Sequence, residues 1–305
     1  MIELKSVSRW YGPVIGVNDV TCTLPSGVTA LLGQNGAGKS TLMRLITGQL
    51  RPTTGEVKVN GLDPFGNPTA MKHLGFCPDI DSFPEHLTGR QFVTRMGRLM
   101  GFSTGTAATR TQELMDQVGM ADRCDKPLRG YSKGMRQRIK LASALFHEPD
   151  VILLDEPLNG LDPLGRREFM DVLHRLAEGG RTIIVSSHIL FEVEQMTSSM
   201  LLMHRGRLLA SGNIRTIRDL IDSHPHRISI SCSDPRRAAA ILAQEAPIDS
   251  LSIGPGPDEL EVRTRMPDKL YDAVARLSLD EGISVDRLES PDNSLEAVFG
   301  YLVEN

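Results

Sequence analysis

The sequence lacks the features that mark membrane-spanning, disulfide-linked and nucleic-acid-binding chains. No apolar run approaches the roughly 18 residues that a membrane-spanning helix requires. The 4 cysteines include no Cys-x-x-Cys pair, so neither a disulfide framework nor a zinc site is expected. The net charge is -4, whereas nucleic-acid-binding proteins usually carry an excess of basic residues. Residues 1–10 contain no apolar signal region. We therefore expect a reducing compartment, and any role at a membrane has to be exercised through a partner.

The distribution of apolar residues predicts an α/β protein. Hydrophobic residues make up 40% of the 305 residues, enough for one large and one small domain. Strand-like stretches occur at residues 2–7, 17–24, 28–32, 56–60, 73–77, 151–154, 182–186 and 200–203. Helical spacing runs from about residue 88 to 146 and again from 164 to 176. The alternation predicts a parallel sheet with helices packed on it, in which residues 151–154 form a strand covered on both faces.

The pattern changes after Gly212, which places the first domain at residues 1–212. A linker helix is predicted within residues 213–223, and an accessory domain follows at residues 224–292. Its segments read strand 227–232, helix 235–245, strand 250–253, strand 259–264, helix 268–279 and strand 284–288. The order βαββαβ predicts a small ferredoxin-like α+β fold. A last helix is predicted in residues 293–305, because Asn293 and Glu296 have capping-box spacing.

The segment Gly33-Gln34-Asn35-Gly36-Ala37-Gly38-Lys39-Ser40-Thr41 is a full phosphate-binding loop. A strand-like run precedes it and a helix-like run follows, which is the context that such a loop needs. The glycines let backbone N–H groups wrap a phosphate, while Lys39 supplies positive charge and Ser40 a hydroxyl for Mg²⁺. A chance glycine-rich turn is the alternative, and this context disfavours it.

Two carboxylates, Asp155 and Glu156, follow the apolar strand 151–154. In a parallel sheet this is the edge at which ligands bind. Asp155 is predicted to hold Mg²⁺ opposite Ser40, and Glu156 to activate the attacking water, a role worth about 10²–10⁴-fold in rate. Solvated loop charges are the other interpretation of this pair.

Two further segments carry groups that bind anions. Ser132 stands at the start of a helix, where its hydroxyl, the Gly134 amide and the helix dipole form either an anion site or a plain cap. His188 follows the strand 182–186 and either donates to the terminal phosphate or is structural. Its place one strand after the carboxylate pair favours the phosphate role.

In their order along the chain, these motifs resemble those of the ATP-binding subunit of ABC transporters. The resemblance covers residues 2–212 and includes the phosphate loop, the signature segment 131–135, Asp155-Glu156, the segment 158–162 and His188. It implies a P-loop ATPase core of the ABC type, with a mixed sheet and a helical subdomain at about residues 80–146. ATP and Mg²⁺ are the implied cofactors, and Glu156 and His188 the implied catalytic residues.

The resemblance also implies a homodimer in which each ATP lies between two copies. The residues implied on one side are Tyr11, Gly33, Asn35, Gly36, Gly38, Lys39, Ser40 and Thr41. Ser132, Gly134 and Asp162 belong to the other copy. Tyr11 would stack on adenine, with Trp10 as its competitor. A separately encoded transmembrane subunit would dock on the helical subdomain, where Phe83 and Leu87 are the candidate contacts. This subunit would hold the protein at the cytoplasmic face of the membrane. No nucleic-acid partner is implied.

Three residues depart from the family pattern. Asp79 replaces the usual Gln and can bind Mg²⁺ but cannot donate a hydrogen bond, while Lys133 and Met135 replace Gly and Gln in the signature segment. Lys133 either places a positive charge near the phosphate or the partner copy, or is simply solvated.

The tail, residues 293–299, is similar to the exporter branch that serves drugs, antibiotics, polysaccharides and metal-enzyme maturation. The leading hypothesis is therefore the ATP-hydrolysing motor of an exporter. A soluble ABC ATPase acting on ribosomes or DNA is the alternative, although only one cassette and no long coiled coil are present. Glu156 and His188 argue against a scaffold that does not hydrolyse ATP.

Overall fold

The chain divides into two compact units, Met1–Asn213 and Ile214–Asn305. The computed structural model describes residues 1–213, 225–254, 256 and 258–290. The predicted linker helix after Gly212 and the predicted C-terminal helix after residue 292 lie outside the described residues. The division into two units follows the end of the resemblance to ABC proteins by one residue.

The first unit alternates strands and helices, as the apolar pattern predicts. Its strands are β1 Ile2–Tyr11, β2 Val14–Leu24, β3 Gly27–Leu32, β4 Thr54–Val59, β5 Leu74–Cys77, β6 Val151–Leu154, β7 Thr182–Ser187, β8 Ser199–His204 and β9 Arg207–Asn213. Its α-helices are α1 Lys39–Ile46, α2 Pro68–Met71, α3 Gly89–Leu99, α4 Thr104–Gln117, α5 Lys133–Ala144, α6 Pro163–Glu178 and α7 Leu190–Met196.

These strands form two sheets. The larger has the order β5-β6-β7-β3-β8-β9, with parallel pairing everywhere except between β8 and β9. The smaller is antiparallel, with the order β2-β1-β4. The mixed sheet that the resemblance implies is therefore present. Strand β9 is not predicted by the apolar pattern. Arg205 and Gly206 have φ angles of 46° and 81°, and two consecutive positive φ angles make the tight turn that reverses the chain into β9.

Two hydrophobic cores lie on opposite faces of the large sheet, and β6 contributes to both. Val151 and Leu153 pack with the small sheet and α1, whereas Ile152 and Leu154 pack with the helices α3 to α6. All four side chains are fully buried. This double burial is the physical reason for the unbroken apolar run, and it holds the carboxylates that follow β6 at a fixed edge of the sheet.

The helices α3, α4 and α5 form the helical subdomain. Thr88 and Gln91 cap the start of α3 with a reciprocal pair of side-chain hydrogen bonds. A Cβ at Gly97 would collide with the ring of Phe146, so α3 approaches this buried ring only because it carries a glycine there. Phe102 packs edge-on against the same ring, at 5.2 Å between centroids. The subdomain is thus a closely packed body joined to the sheet through α5.

The second unit contains the predicted element order βαββαβ. Its elements are β10 His226–Cys232, α8 Pro235–Glu245, β11 Ser250–Ile253, β12 Glu259–Thr264, α9 Pro267–Leu279 and β13 Val285–Glu289. The strands form an antiparallel sheet in the order β11-β12-β10-β13, and the unit has its own apolar core around Ile230, Val262 and Leu270. Its assignment as a ferredoxin-like accessory domain stays a prediction.

Candidate active site

The phosphate loop lies at the centre of the large sheet. It connects β3, which pairs with β7 and β8, to α1, which begins at Lys39. A Cβ at Gly33 would come within 2.6 Å of the Met203 carbonyl oxygen, and one at Gly38, whose φ is 102°, would meet the carbonyl of Gly16. The loop is therefore pressed against neighbouring main chain at two points where no side chain fits, which fixes its path around the start of α1.

Lys39 is held inside this loop. Its side chain is only 6% exposed, and its Nζ donates to the Gly33 carbonyl oxygen at 2.6 Å. The same nitrogen lies 3.2 Å from Glu156 Oε1. The positive charge that the sequence assigns to the terminal phosphates is therefore paired with the predicted general base. A phosphate group bound at Lys39 would have to compete with Glu156 for its charge.

The carboxylates that follow β6 are bridged by a serine from the neighbouring strand. Ser186 Oγ donates to Asp155 Oδ1 at 2.7 Å and accepts from the Glu156 backbone N–H at 2.8 Å. Glu156 has a φ of 49°, in the left-handed region, where a residue with a side chain costs about 1–2 kcal/mol. The sequence shows no signal for Ser186, because its role depends on β6 and β7 being neighbours in the sheet.

His188 lies beside the same glutamate. Its Nδ1 is 2.9 Å from Glu156 Oε2. The Glu156 carboxylate therefore has one oxygen facing the Lys39 ammonium and the other facing the His188 ring. The structure thus brings together three residues that the sequence separates by as many as 149 positions, 188 minus 39.

An open cleft with a volume of about 400 Å³ joins most of the predicted nucleotide contacts. The predicted residues that line it are Tyr11, Asn35, Gly36, Gly38, Lys39, Ser40, Thr41, Asp79, Asp155 and Glu156. The Tyr11 ring is 41% exposed and has the Arg9 guanidinium 5.1 Å from its centroid, whereas Trp10 does not line the cleft. An exposed aromatic face at this position can stack on a planar base.

The oxygens in this cleft suit magnesium. Ser40, Asp79 and Asp155 contribute hydroxyl and carboxylate oxygens to one lining, and hard oxygen donors are what Mg²⁺ selects. Within the described residues, no three His, Cys, Asp or Glu side chains are grouped so that they could hold a metal ion by themselves.

Ser132, Gly134 and Asp162 lie on a second surface, outside the cleft. Ser132 Oγ caps α5 by accepting from the Met135 N–H at 3.3 Å, and a Cβ at Gly134 would be in contact with Leu161 at 3.7 Å. Asp162 precedes α6, and its side chain makes no capping hydrogen bond. The start of α5 and the start of α6 therefore lie side by side, with Ser132 and Asp162 exposed.

The lysine of the signature segment has a partner within its own chain. Lys133 Nζ lies 3.8 Å from Asp81 Oδ2, and the Lys133 side chain is 36% exposed. Arg136, one turn further along α5, makes a bidentate pair with Glu85 at 2.8 and 2.9 Å. This hydrogen-bonded arginine holds the pKa of Glu85 below its usual value. The basic first turn of α5 is therefore tied to residues 81–85.

A polar network that the sequence does not reveal connects the two surfaces. Ser187 Oγ donates to Glu192 Oε2 at 3.0 Å, and Arg166 Nη1 lies 2.8 Å from Glu192 Oε1. Arg166 Nε in turn donates to the Leu161 carbonyl oxygen at 3.1 Å. Ser187, which precedes His188, is thus linked to Leu161, which precedes Asp162, through the Glu192 carboxylate, which is 5% exposed.

The helical subdomain carries a separate apolar cleft of about 340 Å³. Ile80 and Phe83 line it, and Ile80 is 72% exposed. Leu87, the second residue predicted for docking, is only 5% exposed and belongs to the core. The prediction for Leu87 is therefore wrong, because its side chain packs inside the subdomain, whereas Ile80 and Met100 are exposed apolar residues of the cleft.

Comparison with known proteins gives concordant matches. The family model "ABC transporter" matches residues 17–159. The daunorubicin/doxorubicin resistance ATP-binding protein DrrA of Streptomyces peucetius is 31% identical over 98% of this chain and 91% of its own length. The bacitracin transport ATP-binding protein BcrA of Enterococcus faecalis is 30% identical over 99% of this chain and 96% of its own.

Solved structures agree with these matches over 72% of the chain. An ATP-binding subunit of an ABC transporter is 30% identical, with a TM-score of 0.65, over 72% of this chain and 93% of that one. The protein cbiO1 of Clostridium perfringens, part of the ABC transporter complex cbiONQ, is 26% identical with a TM-score of 0.64. Among the described residues, no helix has the length and apolar character needed to cross a bilayer. The chain belongs to the ATP-binding proteins of ABC transporters and is the ATP-hydrolysing motor subunit of a membrane transporter.

Proposed function

We propose that two copies of this chain close head to tail over two ATP molecules and drive a separate transmembrane subunit that exports its substrate. The observation that supports this best is the division of the predicted ATP contacts between two surfaces of one chain. The cleft holds the phosphate loop, Asp155 and Glu156, whereas Ser132 and Asp162 are exposed elsewhere. A second copy that presents its α5 terminus to the cleft would complete each site.

Within such a site, Lys39 leaves Glu156 for the terminal phosphates of ATP, which carry more negative charge than one carboxylate. Glu156, released from Lys39, accepts a proton from the attacking water. His188 contacts Glu156 through Nδ1 at 2.9 Å, which leaves Nε2 for a hydrogen bond with the terminal phosphate. Ser186 keeps Asp155 and the Glu156 backbone in register during this exchange.

Magnesium would be held by Ser40 and Asp155, with Asp79 as a third oxygen donor in the same cleft. Bound there, it would neutralise charge on the phosphate oxygens during hydrolysis. Asp155 is well placed for this task, because only Oδ1 accepts the Ser186 hydrogen bond and the side chain stays 8% exposed.

The transmembrane subunit is proposed to dock in the apolar cleft of the helical subdomain. Ile80 and Phe83 offer an exposed and a half-buried apolar side chain there. This contact would hold the protein at the cytoplasmic face of the membrane. Export as the direction is supported by the relatives named for drug resistance and bacitracin transport. A soluble ATPase acting on ribosomes or DNA has no comparable support.

Nucleotide-dependent dimerisation tests the proposal. The Glu156→Gln protein, mixed with Mg–ATP and measured by gel filtration with light scattering, should shift from 33.5 kDa to twice that mass. Adding Ser132→Arg should abolish the dimer while ATP uptake by calorimetry persists, because Ser132 lies outside the chain's own cleft. An ATP-loaded Glu156→Gln protein that stays at 33.5 kDa would refute the head-to-tail arrangement.

A further inference from the structure

Residues 78–83 form a short segment that borders both clefts of the first unit. Asp79 lines the cleft of the phosphate loop, while its neighbours Pro78 and Ile80 line the apolar cleft of the helical subdomain. A displacement of this segment therefore changes both clefts together. The contacts that hold the segment in place therefore determine how strongly a change in one cleft affects the other.

One buried lysine holds it. Lys140, on α5, is 7% exposed, and its Nζ donates to the carbonyl oxygens of Pro78 at 2.7 Å and Asp79 at 3.1 Å. The same nitrogen lies 2.9 Å from Asp81 Oδ1. The ammonium thus makes two hydrogen bonds to the backbone of the segment and an ion pair with the Asp81 carboxylate. A buried charge is costly unless it is paired and hydrogen-bonded, so the segment and Lys140 stabilise each other.

Lys140 connects this segment to the signature surface. It lies on the same helix as Ser132, whose hydroxyl caps that helix, and eight residues of helix span about 12 Å. Lys133, beside Ser132, also faces Asp81, at 3.8 Å. Asp81 is thus approached by two lysines of α5, one at the exposed terminus and one in the buried part.

We propose that Lys140, together with Asp81, is the positioning residue that couples nucleotide binding at the phosphate-loop cleft to the apolar docking cleft. The pair joins Asp79, Ile80 and helix α5 into one body. ATP that displaces Asp79 then also displaces Ile80 and the Ser132 end of α5. The inference rests on the proposed function, because it assumes that ATP binds in the first cleft and a partner in the second.

A fluorescent reporter in the apolar cleft tests this coupling. Ile80→Cys in the Glu156→Gln protein places a thiol for a polarity-sensitive maleimide at a position where the native Ile80 is 72% exposed. The native cysteines are buried or half-buried, and burial raises the pKa of Cys22 to about 11, so selective labelling at pH 7 is expected. Saturating Mg–ATP should change the emission of the label.

Lys140→Met should reduce this emission change by about fivefold or more, while the Kd for ATP measured by calorimetry stays within about twofold. ATP affinity should be retained because Lys140 lines the apolar cleft and not the nucleotide cleft, and the emission change is measured for each variant relative to its own emission without ATP. Arg138→Met is the matched control, since it removes a basic residue and a 2.7 Å ion pair from the same helix without touching residues 78–83. It should keep the full emission change.

Because Lys140 lies in the wall of the labelled cleft, Asp81→Asn provides a second variant at a residue that lines neither cleft, and it should also reduce the emission change. A full emission change in folded Lys140→Met would overturn the inference, and so would unfolding of both variants, because the pair would then be structural only. If the labelled parent protein takes up no ATP, the proposed function itself fails. If it takes up ATP but its emission is constant, only the coupling is wrong.

Discussion

Replacing Glu156 by Gln should have opposite effects on ATP binding and on ATP hydrolysis. The Glu156 carboxylate lies 3.2 Å from Lys39 Nζ and 2.9 Å from His188 Nδ1. At an effective dielectric constant of about 20, unit charges at the first distance attract each other by roughly 5 kcal/mol before desolvation is subtracted. ATP has to replace this attraction, because Lys39 is needed for its phosphates.

The net gain on removing the Glu156 charge is a fraction of that figure, since the cost of desolvating two nearly buried charges offsets most of their attraction. We expect about 1–2 kcal/mol, which tightens ATP binding about 5- to 30-fold. Turnover should fall by about 10²–10⁴-fold, because a carboxamide cannot accept the proton of the attacking water. Lys39→Ala should instead weaken ATP binding, so the two substitutions change affinity in opposite directions.

Calorimetric titration with Mg–ATP and a phosphate-release assay on the same preparation measure both effects. Glu168→Gln is the control, because Glu168 also makes an ion pair, 2.7 Å from Arg138, but has a 56% exposed side chain outside the cleft. It should leave both quantities unchanged. Weaker ATP binding by Glu156→Gln would show that its pair with Lys39 does not oppose ATP, and normal turnover would show that Glu156 is not the base.

Two further predictions concern stability. Gly97→Ala should lower the free energy of unfolding by about 1–3 kcal/mol, because the added Cβ would overlap the buried Phe146 ring. Gly105→Ala in α4 should raise the free energy of unfolding slightly, because no atom lies within 4 Å of the added Cβ. Thermal melting that ranks the two variants the other way would contradict this packing. Burial raises the pKa of Cys77 from 9.0 to about 12. The unfolded chain therefore loses the thiol proton at a lower pH than the folded chain does. Because of this difference, the free energy of unfolding should fall as pH rises from about 9 towards 12. Urea denaturation between those limits should show a flatter decline for Cys77→Ala, and equal slopes would mean that the thiol does not titrate as its burial requires.

The elements that the sequence predicts well are those whose pattern is local. The bounds of β6, α8, β11 and β12 agree with the sequence prediction, because each is a continuous apolar or strictly periodic run between turn residues. Strand β9 was not predicted, since it is an edge strand whose pairing depends on the Arg205-Gly206 turn. The sequence offers Leu87 as an apolar candidate for docking, and only the packing of α3 to α5 shows that its side chain is buried.

The residues of the site also differ in whether they can be predicted from local sequence. The phosphate loop, Asp155 and Glu156 could be predicted because their chemistry is written in consecutive residues. Ser186, Glu192 and Lys140 could not, because each acts on residues that are distant in sequence and become neighbours only once the strand order and the position of α5 are known. Nothing in the local pattern separates Lys140 from any other lysine on a helix.

The positive φ of Glu156 sets stability and catalysis against each other. Glycine, or asparagine, accepts this backbone conformation at lower cost than glutamate does. A directed-evolution screen that selects for heat resistance alone should therefore enrich replacements at this position. The selected proteins would survive heating but would no longer hydrolyse ATP. Any stabilised version of the chain has to be selected for turnover at the same time.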